Sequence, residues 1–163
     1  MTLRKYVLGV AAALMLSAAA VSPAQAEPGF ASIELTRVDG WVQAGPDYWA
    51  MRQNTPGSFA VDITSQAGHD EQGLSVFISF PTDNLEVTGY EGDDWTCWDV
   101  NEGLGAEGIR CTQPHLIVHG EAWPTLEVYT LTIRDHTDSI DVYAETDGHQ
   151  AHATQPYSVS SPL

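Results

Sequence analysis

Two cysteines, Cys97 and Cys111, and five tryptophans are the side chains of this 163-residue sequence with the most chemistry to offer. A thiol pair can hold a metal, exchange disulfides or close a structural bridge. Metal binding asks for further ligands at short spacing, and exchange chemistry favours Cys-x-x-Cys. Neither pattern surrounds Asp94-Trp95-Thr96-Cys97 or Gly108-Ile109-Arg110-Cys111-Thr112. In an exported chain, a single pair of cysteines reads as one bridge. A Cys97–Cys111 disulfide is therefore expected between two neighbouring strands joined by the loop from Gly103 to Gly108. In the chain-entropy account, closing such a loop is worth roughly 3 kcal/mol.

The tryptophans divide by phase. Trp95 shares a face with Cys97 and reads as core, whereas Trp98 points the other way. Trp41, Trp49 and Trp123 stand near turns or strand ends, where indole rings either pack at the rim or form a platform for sugar rings. Trp98, Trp123 and Trp49 are accordingly the candidate ligand-binding residues. Asp93, Asp94, Asp99 and Glu102 surround the cysteine hairpin and are the metal candidates, with Asp70 and Glu71 in a loop elsewhere. Calcium needs several oxygens converging on one ion, and no Asp-x-Asp-x-Asp-Gly loop is written here. Glycoside hydrolysis needs two carboxylates facing each other across a cleft, a geometry that spacing alone does not show.

Six histidines, His69, His115, His119, His136, His149 and His152, read as solvated loop residues. His149 and His152 fall near the C-terminus, where copper or zinc binding is the functional alternative. No Gly-x-Ser-x-Gly elbow, free nucleophilic cysteine or phosphate-binding glycine pattern is present. No enzyme and no cofactor is expected.

The elements that must position these residues are strands. Ile33 to Val38 alternates and stops at Asp39-Gly40. Ser58 to Ser65 sets Phe59, Val61 and Ile63 against Ala60, Asp62 and Thr64, and Leu74 to Phe80 sets Leu74, Val76, Ile78 and Phe80 against Ser75, Phe77 and Ser79. Leu85 and Val87 begin a short strand ending at Gly89. From Leu126 to Ile133 the apolar phase slips, which implies a β-bulge or burial on both faces. Ile140, Val142 and Ala144 form the last alternating strand, and the residues from Gly148 onward read as a loose tail. Turn chemistry at Gly45-Pro46-Asp47, Pro56-Gly57 and Gly92-Asp93-Asp94 separates the runs. Short strands at this spacing predict an all-β fold, a single immunoglobulin-like antiparallel β-sandwich over residues 27–147, with a tail over 148–163.

The first 26 residues carry a different signal. Arg4 and Lys5 precede an apolar run from Tyr6 to about Ala20, and Ala24-Gln25-Ala26 forms an A-x-A cleavage site. Residues 1–26 are expected to be a secretory signal peptide. Its removal takes away Arg4 and Lys5 but no acid, so the net charge moves from −16 to −18. Arg37, Arg52, Arg110 and Arg134 are then the fixed positive charges. Such a surface repels nucleic acid and anionic lipid and attracts divalent cations or a basic partner. No later stretch is long enough to span a membrane.

The order of segments resembles the bacterial conserved-repeat domain of unknown function (domain-of-unknown-function eleven type) found in cell-surface proteins. The resemblance rests on Ser58-Phe59-Ala60-Val61-Asp62-Ile63-Thr64, the strand and proline from Leu74 to Pro81, and Leu85-Glu86-Val87. It continues through Trp95 to Cys97, Cys111-Thr112, Leu116, Gly120 and Leu126 to Ile133, and covers roughly Ala31 to Asp147. It implies an immunoglobulin-like surface module and brings no catalytic residues with it. The expected function is a secreted or envelope-associated, non-enzymatic interaction module. The alternative is a module that binds carbohydrate or cell wall through exposed tryptophans and acidic loops, with or without calcium. The expected partner is a protein or a wall polysaccharide outside the cell.

Overall fold

A computed structural model describes residues 29–68, 70–101 and 107–161. The expected signal peptide, His69 and Glu102 lie outside the described residues. Eleven strands and no helix make up the described residues: β1 (Ala31–Asp39), β2 (Val42–Gly45), β3 (Tyr48–Arg52), β4 (Pro56–Ser65), β5 (Glu71–Ser79), β6 (Leu85–Glu91), β7 (Thr96–Asn101), β8 (Glu107–Ile117), β9 (Leu126–Thr132), β10 (His136–Thr146) and β11 (His149–Ser160). They form two sheets, ordered β1-β4-β9-β6 and β2-β3-β11-β10-β5-β8-β7. The result is an immunoglobulin-like β-sandwich with one disulfide, as the alternation predicts. Since side chains alternate sides along a strand, the apolar phases of β4, β5 and β10 meet between the sheets. Phe59, Val61, Val76, Ile78, Ile140, Val142 and Ala144 are fully shielded there.

Four expectations need correction. First, the C-terminal segment is no loose tail. β11 pairs with β10 over nearly its whole length, from Thr146 opposite His149 to His136 opposite Val159. Asp147 and Gly148 form the two-residue turn, with φ of 40° and 85°, the Asp-Gly chemistry that tight hairpins favour. The inward positions of β11 include Ala151, Tyr157 and Val159, too scattered among small and polar residues to read as an apolar run.

Second, one pair is parallel rather than antiparallel: the end of β11 runs beside β3, with Tyr157 opposite Trp49. Third, β9 has no phase slip. Its buried positions are Leu126, Val128, Thr130 and Thr132, so the core face continues through two threonines. Their hydroxyls donate to backbone carbonyls, Thr130 to Gly57 at 3.2 Å and Thr132 to Arg52 at 2.7 Å, which satisfies them inside the sandwich. The register shift falls on the partner strand β6, between Val87 and Gly89. Fourth, Glu71 is not a loop residue: it opens β5 fully buried, and the Thr146 hydroxyl donates to its carboxylate at 3.2 Å.

Candidate functional site

The disulfide ties the edge of the seven-stranded sheet. Cys97 of β7 stands directly opposite Cys111 of β8, and the two Cα atoms are 4.0 Å apart across the bridge. Trp95 is buried just before β7, its indole N–H donating to the Pro124 carbonyl at 2.7 Å. With Cys97 turned inward, the next residue, Trp98, is turned outward. It is 47% exposed.

Trp98 begins a row that crosses five strands. In register it faces Arg110 of β8, which faces Phe77 of β5, then Tyr143 of β10, then His152 of β11. The close approach of β8 to β5 that sets this register depends on Gly108: at φ 145°, a Cβ there would run into the Ile78 carbonyl. Along the row the Arg110 guanidinium lies 5.2 Å from the Phe77 ring centre. Phe77 and Tyr143 are stacked at 6.3 Å, and Tyr143 and His152 at 4.4 Å. Cross-strand contacts of this kind stabilise a sheet by a few tenths to about 1 kcal/mol per pair. Arg110, Phe77, Tyr143 and His152 thus cover one another's faces. Trp98 makes no ring contact among the described residues.

His152 is also held by Asp141. Its Nε2 lies 3.1 Å from Asp141 Oδ1 and 3.2 Å from Thr154 Oγ1, and the Thr154 hydroxyl donates to the same Asp141 oxygen at 2.6 Å. Burial pushes the Asp141 carboxyl up, but hydrogen bonds from Thr154, Ser139 and His152, together with the His152 charge, outweigh it and hold the pKa below its ordinary value. This trio is not a nucleophile–base–acid relay. In a relay the hydroxyl and the carboxylate engage opposite nitrogens of the imidazole; here both meet Nε2.

A second row runs parallel to the first, two residues along each strand: Thr96, Thr112, Ser75, Glu145 and Gln150. Its first three members are small, and a trough of about 840 Å³ opens over them. Asp94, Pro114 and the β10–β11 hairpin from Glu145 to Gln150 are among the other residues that line it. Two of the acids of the trough have partners. Glu145 lies 4.0 Å from Arg110 and accepts from Gln150 at 2.8 Å, and Asp94 lies 3.5 Å from His115. A concavity of this size, with convergent polar groups, is the kind of site that holds a small or chain-like ligand.

Of the residues singled out by sequence, the structure brings Trp98, Asp94, His149 and His152 to this face. Trp49 and Trp123 are buried, 3% and 2% exposed, so neither forms part of a surface platform. The parallel pairing of β3 with β11 turns Trp49 into the sandwich against Trp41 and Phe59, at 5.9 and 6.2 Å. Trp123 is pinned by its backbone N–H to the Ile63 carbonyl, with its ring edge-on to Phe30 at 6.4 Å. Of the metal candidates, Asp93, Asp94 and Asp99 lie within the described residues. Asp93 and Asp94 sit in the turn before β7, while Asp99 is opposite Ile109 along the strand. Among the described residues no three histidine, cysteine or acidic side chains could share a metal ion.

Arg110, Phe77 and Tyr143 were not legible as site residues, and His152 was singled out only as a metal alternative in a tail. The available signal was an aromatic in the solvent phase of an alternating strand: Phe77 between Ser75 and Ser79, and Tyr143 between Val142 and Ala144.

No family model matches the sequence, and no curated protein matches it. Solved structures do resemble it in fold. A cohesin module from a family 33 glycoside hydrolase of Clostridium perfringens superposes with a TM-score of 0.51 at 9% identity, covering 82% of this chain and 98% of that one. An uncharacterised Nocardia farcinica protein with an immunoglobulin-like fold gives 0.48 at 9% identity, over 77% of this chain and 97% of that one. A type I cohesin–dockerin complex from Clostridium thermocellum gives 0.45 at 7% identity, over 85% and 94%. At such identities the likeness concerns the fold alone.

Proposed function

We propose that this chain is an exported, non-enzymatic binding module, and that the outer face of its seven-stranded sheet is the ligand surface. The observation that carries the reading is the trough over Thr96, Thr112 and Ser75, flanked in register by the ordered row from Trp98 to His152. Export rests on the N-terminal 26 residues and their A-x-A site, and an envelope-facing setting on the resemblance to the cell-surface repeat domain. The likeness in fold to a module of a larger glycoside hydrolase is in keeping with a binding role. The Asp141–His152–Thr154 group has the arrangement of a surface hydrogen-bond cluster rather than of a hydroxyl–imidazole–carboxylate relay.

The test is co-sedimentation of the purified protein with isolated bacterial cell walls at moderate salt, beside a Thr112→Trp variant that fills the trough. Pelleting of the wild type and release of the variant is the expected result. A wild type that stays in the supernatant, or a variant that pellets equally, overturns the reading.

A further inference from the structure

The geometry points to a ligand class for this face: we infer that the trough holds an uncharged oligosaccharide, lying across β7, β8, β5 and β10 with one sugar ring against Trp98. The inference rests on the binding-module reading above and specifies its ligand. Three observations carry it. The floor is hydroxyl-bearing, with Thr96, Thr112 and Ser75 in one register row and Glu145 and Gln150 continuing it. A row of donors and acceptors repeating at the strand spacing of about 4.8 Å suits a chain whose hydroxyls recur at every pyranose.

Trp98 supplies an aromatic ring two residues along β7 from Thr96, 47% exposed and free of ring contacts among the described residues. The apolar C–H face of a sugar packs on such a ring while its hydroxyls turn to the polar row. The other aromatics of the face are ill suited to this, because Phe77, Tyr143 and His152 already stack on each other.

The charge balance then selects among polymers. Asp94, Glu145 and Asp147 line the trough, so a uronic-acid chain or a nucleic acid meets acids. A lysine-rich peptide finds two of these three acids already engaged, Glu145 by Arg110 and Gln150 and Asp94 by His115, and is the competing ligand that the test includes. Carboxylates so held remain good acceptors for neutral hydroxyls.

The experiment is isothermal titration of the purified protein with soluble β-1,4-linked hexasaccharides of glucose, mannose, xylose and N-acetylglucosamine, beside hexalysine. Saturable binding of at least one hexasaccharide is expected, weakened tenfold or more by Trp98→Ala and abolished by Ser75→Trp, with melting temperatures unchanged in both. The inference is overturned if no hexasaccharide binds, or if binding survives Ser75→Trp. Binding of hexalysine alone, lost in Ser75→Trp, overturns the saccharide inference and leaves the binding-module reading standing. Silence from every probe, together with failure to pellet with cell walls, removes both.

Discussion

The outer faces of the two sheets are built by the same alternation and have little else in common. On the four-stranded sheet the outward row Thr36–Ala60–Glu127–Glu91 puts two carboxylates on directly opposite residues, with Glu34, Asp62 and Glu86 nearby. The ordered contacts there are sparse: Tyr129 donates to Glu91 at 2.8 Å, and Thr125 to Asp62 at 2.5 Å. On the seven-stranded sheet, a guanidinium and three rings contact one another across four strands, and a trough lies beside them. Core packing demands nothing of either outer face. The acidic face needs only solvation to account for it. The other face adds a guanidinium and a contiguous row of rings in outward positions, and the proposed ligand surface rests on that row and the trough beside it.

The contrast can be broken at its largest effect by comparing tryptophans. Trp49→Ala and Trp123→Ala should each cost about 3–5 kcal/mol in urea unfolding, whereas Trp98→Ala should cost less than about 0.5 kcal/mol. A large loss at Trp98 would make it a packing residue and remove the free ring from the face. Next in size is the bridge. Cys97→Ser with Cys111→Ser should lower stability by roughly 3 kcal/mol and raise amide hydrogen exchange in β7 before other strands, since β7 is an edge strand held otherwise by β8 alone.

A smaller effect separates the faces directly. A double-mutant cycle on Phe77→Ala and Tyr143→Ala should return a coupling of about 0.5–1 kcal/mol. Glu127→Gln should raise stability by a few tenths of a kcal/mol, because it relieves the opposition to Glu91. A cycle with no coupling would make the two faces alike.

The subtlest distinction is in pH. Asp141, on the seven-stranded sheet, titrates below its ordinary value of 3.8. Its contribution is therefore complete above that value and disappears as pH falls through the lowered pKa. Tyr129, on the acidic face, has its pKa raised above 10.0, chiefly by the hydrogen bond it donates to Glu91. Its contribution is complete below 10.0 and disappears as pH rises through the raised pKa. Asp141→Asn should flatten the acid limb of the stability curve and Tyr129→Phe the alkaline limb; crossed or absent effects would contradict these contacts.

The core was legible because alternation reports burial. Phe59, Val61, Val76, Ile78, Ile140 and Val142 all face inward as their phase predicts, and the disulfide followed from the cysteine count and spacing in a chain expected to be exported. β11 was hidden because its inward positions hold alanine and glutamine among few large apolar residues, although Asp147-Gly148 announced the hairpin. Thr130 and Thr132 disguised the core face of β9, since a buried hydroxyl bonded to a carbonyl looks polar in sequence. The candidate face was largely illegible for a different reason. It is assembled from β7, β8, β5, β10 and β11, and the order of strands in a sheet is a tertiary fact that local periodicity does not carry.

The central claim is that one outer face binds and the other does not, and matched blocking substitutions test it most directly. Ser75→Trp fills the trough, and Thr36→Trp places the same bulk on the exposed edge of the acidic face. Co-sedimentation with isolated cell walls should be lost with Ser75→Trp and retained with Thr36→Trp. Loss with Thr36→Trp alone, or equal retention by both, would contradict the account.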